Sequence, residues 1–282
     1  MTAADHIAAF ILKTLSTHDK PHPLFIGLQG PQGCGKTTAS NAAVARLQTE
    51  HNLRGVTLSI DDFYLTRGEQ IMLAQQHAGN IYLSQRGYPG THDIPLGQKT
   101  LKLLHRINQT KQPVAIPRYD KSLCDGEGDR LPENAWPRVE APLAFVLLEG
   151  WCVGFTPVPQ AEIADVHMAE VNRLLGSYSA WYEFFEAFIQ LRTENITNTI
   201  GWRIEAEEKM RSQKKSAMTP ERIRAYIERF LPAYKLYLPG LKRSIGIFGP
   251  ALVIEIAADR GARRASFSTG SRHEANTAMP PN

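Results

Sequence analysis

The 282-residue sequence predicts an α/β protein: a doubly wound parallel sheet of about five strands, with a helical lid and inserted loops. Three observations carry this. Apolar runs of strand length recur at 24–29, 55–61, 143–150, 186–192 and 251–257. Stretches of helix formers, or of apolar residues at helical spacing, separate them, so strands and helices alternate along the chain. The run "LAFVLLEG" (143–150) carries no charge before Glu149, as a strand buried on both faces requires.

Each element has its own signal. Residues 4–16 read as a short amphipathic helix ended by "KPHP". "LFIGLQ" is a strand that stops at Gly30, and good helix formers follow Lys36, with Ala42, Ala43, Val44 and Leu47 apolar. "GVTLSID" alternates as a second strand, and 66–78 is helical. From Pro95 a helix is expected to bury Leu96, Thr100, Leu103, Leu104 and Ile107, with Asp93 at its start. An aromatic helix is expected over 168–183 and a charged one over 197–213. Another begins at Thr219-Pro220, a good N-cap followed by proline. Beyond Asp259 the composition turns small and polar. The domain is therefore assigned to 1–259 and a disordered tail to 260–282.

Composition narrows the partners. The formal charge of +4 is too small and dispersed for a nucleic-acid binder and suits an anionic small ligand. Three cysteines, Cys34, Cys124 and Cys152, form no C-x-x-C pair, which argues for a reducing compartment. No apolar run approaches the roughly 20 residues needed to cross a bilayer, so no membrane association is expected. The N-terminus lacks a signal-peptide pattern, and a cytoplasmic location is expected. Nothing in the sequence fixes an oligomeric state.

The chemistry starts at "GPQGCGKTT" (30–38). The spacing G-x-x-x-x-G-K-T is met by Gly30, Gly35, Lys36 and Thr37, between an apolar strand and a helix, which is the context of a phosphate-binding P-loop. A chain this long meets that spacing by chance roughly once in a hundred. Backbone N–H groups of Pro31-to-Thr38 residues other than proline (Gln32, Gly33, Cys34, Gly35, Lys36, Thr37, Thr38) can turn toward phosphate oxygens, aided by the helix dipole. Lys36 can reach the β- and γ-phosphates of ATP, and the Thr37 hydroxyl can ligate Mg²⁺. This identifies a phosphoryl donor and leaves the acceptor open.

Acidic residues end two further strands. Glu149 closes the third and is expected beside the cradle, near the Mg²⁺ shell, if strands one and three are neighbours. Asp61 ends the second and is the candidate to accept a proton from an attacking hydroxyl, while the adjacent Asp62 reads as a cap. Arg203 and Arg211 lie eight residues apart on the charged helix, so they share a face. They can meet the transferring phosphate or form solvated pairs such as Glu207 with Arg211. Loops 84–93 and 116–130 offer Arg86, His92, Asp93, Arg118, Tyr119 and Lys121 to a small anionic or hydroxylated acceptor.

Competing nucleotide enzymes lack their strings. No N-K-x-D supports a GTPase, no L-S-G-G-Q a transport ATPase, and no H-R-D or D-F-G a protein kinase. A nucleotide-binding regulator without turnover stays open as an alternative.

The ordered motifs "GPQGCGKTT", "SIDDFYLT", "RGYPGTHD", "PRYDKS", "GEGDR", "LLEGWCVGF", "WRIEAEEKMR" and "FLPAYKLYLPGL" resemble the D-glycerate 3-kinase family of plants and its fungal and bacterial ATP-binding relatives. The likeness spans about residues 20–258. More distantly the chain is similar to uridine kinase, pantothenate kinase and phosphoribulokinase. The resemblance implies an ATP- and Mg²⁺-dependent kinase of a small metabolite, glycerate first. It implies Asp61 as base, Glu149 as metal-associated, Arg203 in the lid, and Asp93, Arg118 and Tyr119 near the acceptor.

Overall fold

The computed structural model describes residues 1–212 and 220–270. Six strands form the central sheet: β1 (Leu24–Gln29), β2 (Gly55–Ser59), β3 (Phe145–Gly150), β4 (Ala187–Arg192), β5 (Ala251–Ile256) and β6 (Ala262–Ser268). Their order is β6-β5-β4-β1-β3-β2. All neighbours are parallel except the β5–β6 pair. The five expected strands are all present. The order reverses at β1, so the crevice at its carboxyl end is the topological switch point where such sheets collect ligands.

Eight α-helices longer than one turn cover the sheet among the described residues: α1 (Ala3–Leu15), α2 (Lys36–His51), α3 (Arg67–Gln76), α4 (Ile94–Thr110), α5 (Val166–Leu175), α6 (Asn198–Ser212), α7 (Pro220–Glu228) and α8 (Leu231–Ser244). Successive strand residues point to opposite faces. Leu24, Ile26 and Leu28 of β1 pack with Leu147, Ile189 and Ile254 against Ile7, Ile11, Ala43 and Leu47 of α1 and α2. Phe25, Val146, Leu148 and Phe188 face the other way, onto Leu101 and Leu104 of α4, Val171 of α5 and Tyr237 of α8. Each fully buried aliphatic or aromatic side chain here contributes about 1.5–3 kcal/mol of transfer free energy.

The caps are local. Thr2 caps α1 in a reciprocal box with Asp5, and Thr66 does the same for α3 with Glu69. Asp93 caps α4 by accepting from the Leu96 N–H at 2.9 Å. The buried face of α4 differs from the expected one: Leu101 is inside and Leu103 is 47% exposed, because the inward stripe runs through Gly97, Thr100, Leu101 and Leu104. The expected helix over 168–183 breaks after Leu175 into a 3₁₀ turn and a last helical turn, Ser179–Tyr182. That bend turns Tyr178, Trp181 and Tyr182 into the core.

A second correction concerns the chain after Asp259. Residues 262–268, expected as part of a disordered tail, form edge strand β6 paired antiparallel with β5. A tight turn brings them back: the Ala257 N–H donates to Gly261 O at 2.9 Å, with Arg260 at φ 67°. Partly buried Ala262 and Ala265 face the core, while Phe267 packs edge-on against Phe10 under the Lys13 ammonium. Residues 271–282 of that expected tail, and Thr219 at the expected start of α7, lie outside the described residues.

Candidate active site

The sheet register aligns the carboxyl ends of three strands around Glu149. Leu28 of β1 pairs with Glu149 of β3, and Glu149 pairs with Ser59 of β2. The cradle leaves β1 two residues beyond this row. On β2 the strand ends at Ser59, and Asp61 sits in the 3₁₀ turn Ile60–Phe63, its N–H held by the Ser59 hydroxyl at 3.3 Å. Asp61 therefore projects past the strand end, on the same side as the cradle.

Within the cradle, Gly33 and Gly35 take left-handed φ values of 77° and 89°. A side chain at Gly33 would stand 2.8 Å from Cβ of Trp202, so glycine there also lets the start of α6 close onto the loop. Tyr234 on α8 donates its hydroxyl to the Gln32 side-chain oxygen and accepts from the Gln32 N–H at 3.2 Å. Pro31 is buried, and its carbonyl accepts from the Lys36 ammonium at 3.1 Å. Cys34 is buried beneath the turn, close to the missing side chain of Gly30. A cavity of about 640 Å³, ample for a nucleotide, opens outward between Gly33, Lys36, Thr37, Thr38, Glu205 and Arg260.

Thr37 Oγ1 donates to Glu149 Oε1 at 2.7 Å. Glu149 is only 4% exposed. Burial pushes its carboxyl up, against the lowering pull of Lys36 and the Thr37 hydrogen bond. A buried carboxyl beside a hydroxyl supplies oxygen ligands of the kind a hard divalent cation takes, next to the N-terminus of α2, which suits the phosphate.

Asp61 is ion-paired with Lys121. Burial pushes its carboxyl up, yet the Lys121 ammonium, with help from the Tyr64 hydroxyl, outweighs that and brings it down to about 2. Lys121 is carried there by the ribbon pairing Tyr119–Asp120 with Asp129–Arg130. Asp62 pins that ribbon. Its carboxylate takes Arg118 Nη1 at 2.7 Å and the Tyr119 N–H at 3.2 Å, so it clamps a loop rather than capping a helix. The Tyr119 ring stands edge-on to Tyr64 at 5.3 Å, beneath the Arg86 guanidinium.

Other expected acceptor residues have protein partners. Arg86 donates to the carbonyls of Gly126 and Glu127. Asp93, besides capping α4, pairs with Arg130 at 3.0 Å. His92 is buried behind Tyr64, stacked on its ring at 4.5 Å, with Nδ1 2.5 Å from the Tyr178 hydroxyl. Burial lowers its pKa to about 4, which Asp61 only partly opposes. Arg203 on α6 lies over the Tyr226 ring at 5.7 Å. The side chain of Arg211, and that of its expected partner Glu207, lie outside the described residues.

Two residues escaped sequence reasoning. Arg260 donates to Gly33 O at 2.9 Å and to Trp202 O at 3.1 Å and pairs with Glu205 at 2.5 Å, tying the cradle to α6. The other is Arg229, between α7 and α8. The Lys121–Asp61 pair was missed as well, although Lys121 itself stood among the loop candidates. Arg260 sits where composition suggested tail, and no local pattern pairs positions 61 and 121.

No family model matches the chain. It is 38% identical over 240 residues to the chloroplastic D-glycerate 3-kinase of Arabidopsis thaliana, an alignment covering 84% of this chain and 52% of that one. The chain thus spans about half the length of the plant relative. It is 36% identical over 262 residues to the probable ATP-dependent kinase TDA10 of Saccharomyces cerevisiae, covering 89% of each. Among solved structures it is similar to D-glycerate 3-kinase from Cryptococcus neoformans, with a TM-score of 0.84 at 28% identity, over 93% of this chain and 98% of that one. No helix of the described residues is long and apolar enough to cross a membrane.

Proposed function

We propose, for a chain that belongs to the family of ATP-dependent kinases shared by D-glycerate 3-kinase and yeast TDA10, that it transfers the γ-phosphate of ATP to a hydroxyl of a small metabolite. D-glycerate is the first candidate acceptor, with other sugar acids, nucleosides and vitamin precursors behind it. The observation that carries this reading is the shared edge of the sheet: a phosphate cradle leaving β1 and an ionised acid, Asp61, just past the end of β2, with Glu149 between them.

In this reading the N–H groups of Gly33 and of Gly35 through Thr38, with the Lys36 ammonium, hold the triphosphate, while the Gln32 and Cys34 N–H groups brace the loop on Tyr234 and on the Pro31 carbonyl. Mg²⁺, held by Thr37 and the Glu149 carboxylate or its water shell, would neutralise charge on the β- and γ-phosphate oxygens. The acceptor hydroxyl donates a hydrogen bond to Asp61. Its oxygen forms a bond to the γ-phosphorus as the bond to the β-bridging oxygen breaks and ADP leaves. A carboxyl near 2 stays ionised at every physiological pH. It therefore orients the hydroxyl throughout, and it takes the proton late, once the new P–O bond has made that oxygen acidic. Arg203 on α6 stabilises the transferring phosphoryl group. A reducing, cytoplasmic setting fits the three unpaired cysteines, Cys34, Cys124 and Cys152.

The test is a screen for ADP release with ATP, Mg²⁺ and small hydroxylated metabolites, D-glycerate included. Acceptor-dependent release supports the reading. Nucleotide binding without release for any acceptor would favour the regulator alternative.

A further inference from the structure

Arg229 is the least explained cation among the described residues. It follows α7 directly, and its backbone is fixed, since its carbonyl accepts from the Tyr88 hydroxyl. Its guanidinium lies over Tyr226 at 5.9 Å and Phe230 at 5.2 Å. One nitrogen, Nη2, donates to Arg86 O at 3.2 Å. The other two, Nε and Nη1, are buried with no hydrogen-bond partner. No carboxylate among the described residues pairs with it. Burial pulls its pKa down, and the groups that act on it are the Tyr226, Tyr88 and Tyr64 hydroxyls and the Arg86 guanidinium.

Guanidinium nitrogens taken out of water without a hydrogen-bond partner oppose folding. The cage could have been closed by an apolar side chain or an acid. Its location is informative. Tyr64, which feels Arg229, hydrogen-bonds Asp61. Lys121, on Asp61, feels both Tyr226 and Arg86. Tyr226 also lies under Arg203 on the phosphate side. Arg229 thus touches Arg86, which lies over Tyr119 beside Tyr64, and of these cations and Lys121 it is Lys121 that pairs with Asp61.

We propose that Arg229, flanked by Arg86 and Lys121, anchors the carboxylate of a hydroxy-acid acceptor and so selects anionic over neutral alcohols. A guanidinium presents a carboxylate with two planar edges, Nε with Nη2 and Nη1 with Nη2, so a bound acid satisfies one of the two unpartnered nitrogens and shares Nη2 with the Arg86 carbonyl. The anchored acid presents its hydroxyl to Asp61. This rests on the kinase reading for the direction of the hydroxyl, not for the binding of the anion.

The experiment compares D-glycerate with glycerol, which replaces the carboxylate by a neutral hydroxymethyl group, in wild type, Arg229→Met and Arg229→Lys. Arg229→Met is expected to raise KM for D-glycerate by roughly 10²-fold, to leave KM for ATP and the turnover of glycerol within about threefold, and so to erase the preference for the acid. Arg229→Lys should restore part of it. An unchanged KM for D-glycerate, or equal losses on both alcohols and on ATP, overturns the anchor. Calorimetry with D-glycerate and with lactate, in the presence of ADP and Mg²⁺, separates the two claims. If no acceptor releases ADP yet wild type binds these acids and Arg229→Met does not, the kinase reading fails and the anchor stands. Wild type that binds neither acid overturns the anchor.

Discussion

The Asp61 carboxylate and the Lys121 ammonium, sixty residues apart in sequence, are ion-paired at the carboxyl edge of the sheet. Lys121 is what keeps a largely buried acid ionised. Replacing it by methionine leaves burial opposed only by the weaker pull of His92 and the Tyr64 hydroxyl, so the Asp61 pKa should rise from about 2 into or above the ordinary carboxylate range. The acid limb of the kcat/KM profile of Lys121→Met is then expected to move up by two or more pH units. A profile superimposable on wild type would mean that the pair does not control Asp61.

The cradle depends on the missing side chain of Gly33. Gly33→Ala combines a left-handed φ of 77° with a contact of 2.8 Å to Trp202. The expected cost is on the order of 1–3 kcal/mol of stability. ATP affinity should fall at least tenfold, as read by the nucleotide-induced rise in melting temperature. Gly68→Ala, with open space around it and an ordinary helical backbone, is the control and should change neither.

His92 sets a pH dependence of stability. A histidine in the unfolded chain titrates near 6.5, and His92 in the fold at about 4. Between those values the unfolded chain binds a proton that the folded one refuses. Its contribution is therefore complete above about 6.5 and lost as pH falls toward 4. From pH 7 to pH 5 this one group should remove about 2 kcal/mol. Denaturant melts of wild type and His92→Gln at both values check it. The variant should lose less on acidification, and equal losses would refute the assignment.

How much of this was legible follows from locality. The cradle, the β1 and β3 strands, Glu149 and the Asp93 cap were readable because each signal is complete within about ten residues. Asp61 was expected as the last residue of its strand but lies in the turn just past it, a detail that Ser59 decides. On α4, Leu101 and Leu103 are both plausible by composition, and only the packing against Trp181 at Gly97 selects the stripe. Arg260 was hidden because a non-glycine left-handed residue in a polar stretch looks like tail. Lys121 reaches Asp61 through a ribbon, and Arg229 meets the Arg86 carbonyl from a helix junction, contacts that no periodicity encodes.

The central claim is that Asp61 orients and finally deprotonates an acceptor hydroxyl beside a phosphate held by the cradle. It is tested most directly by single-turnover phosphoryl transfer from Mg²⁺-ATP to D-glycerate, or to the best acceptor of the screen, in wild type and Asp61→Asn. The predicted result is a transfer rate lowered by about 10²–10⁴ with ATP affinity within a few-fold of wild type. An Asp61→Asn enzyme that transfers phosphate at the wild-type rate would contradict the account.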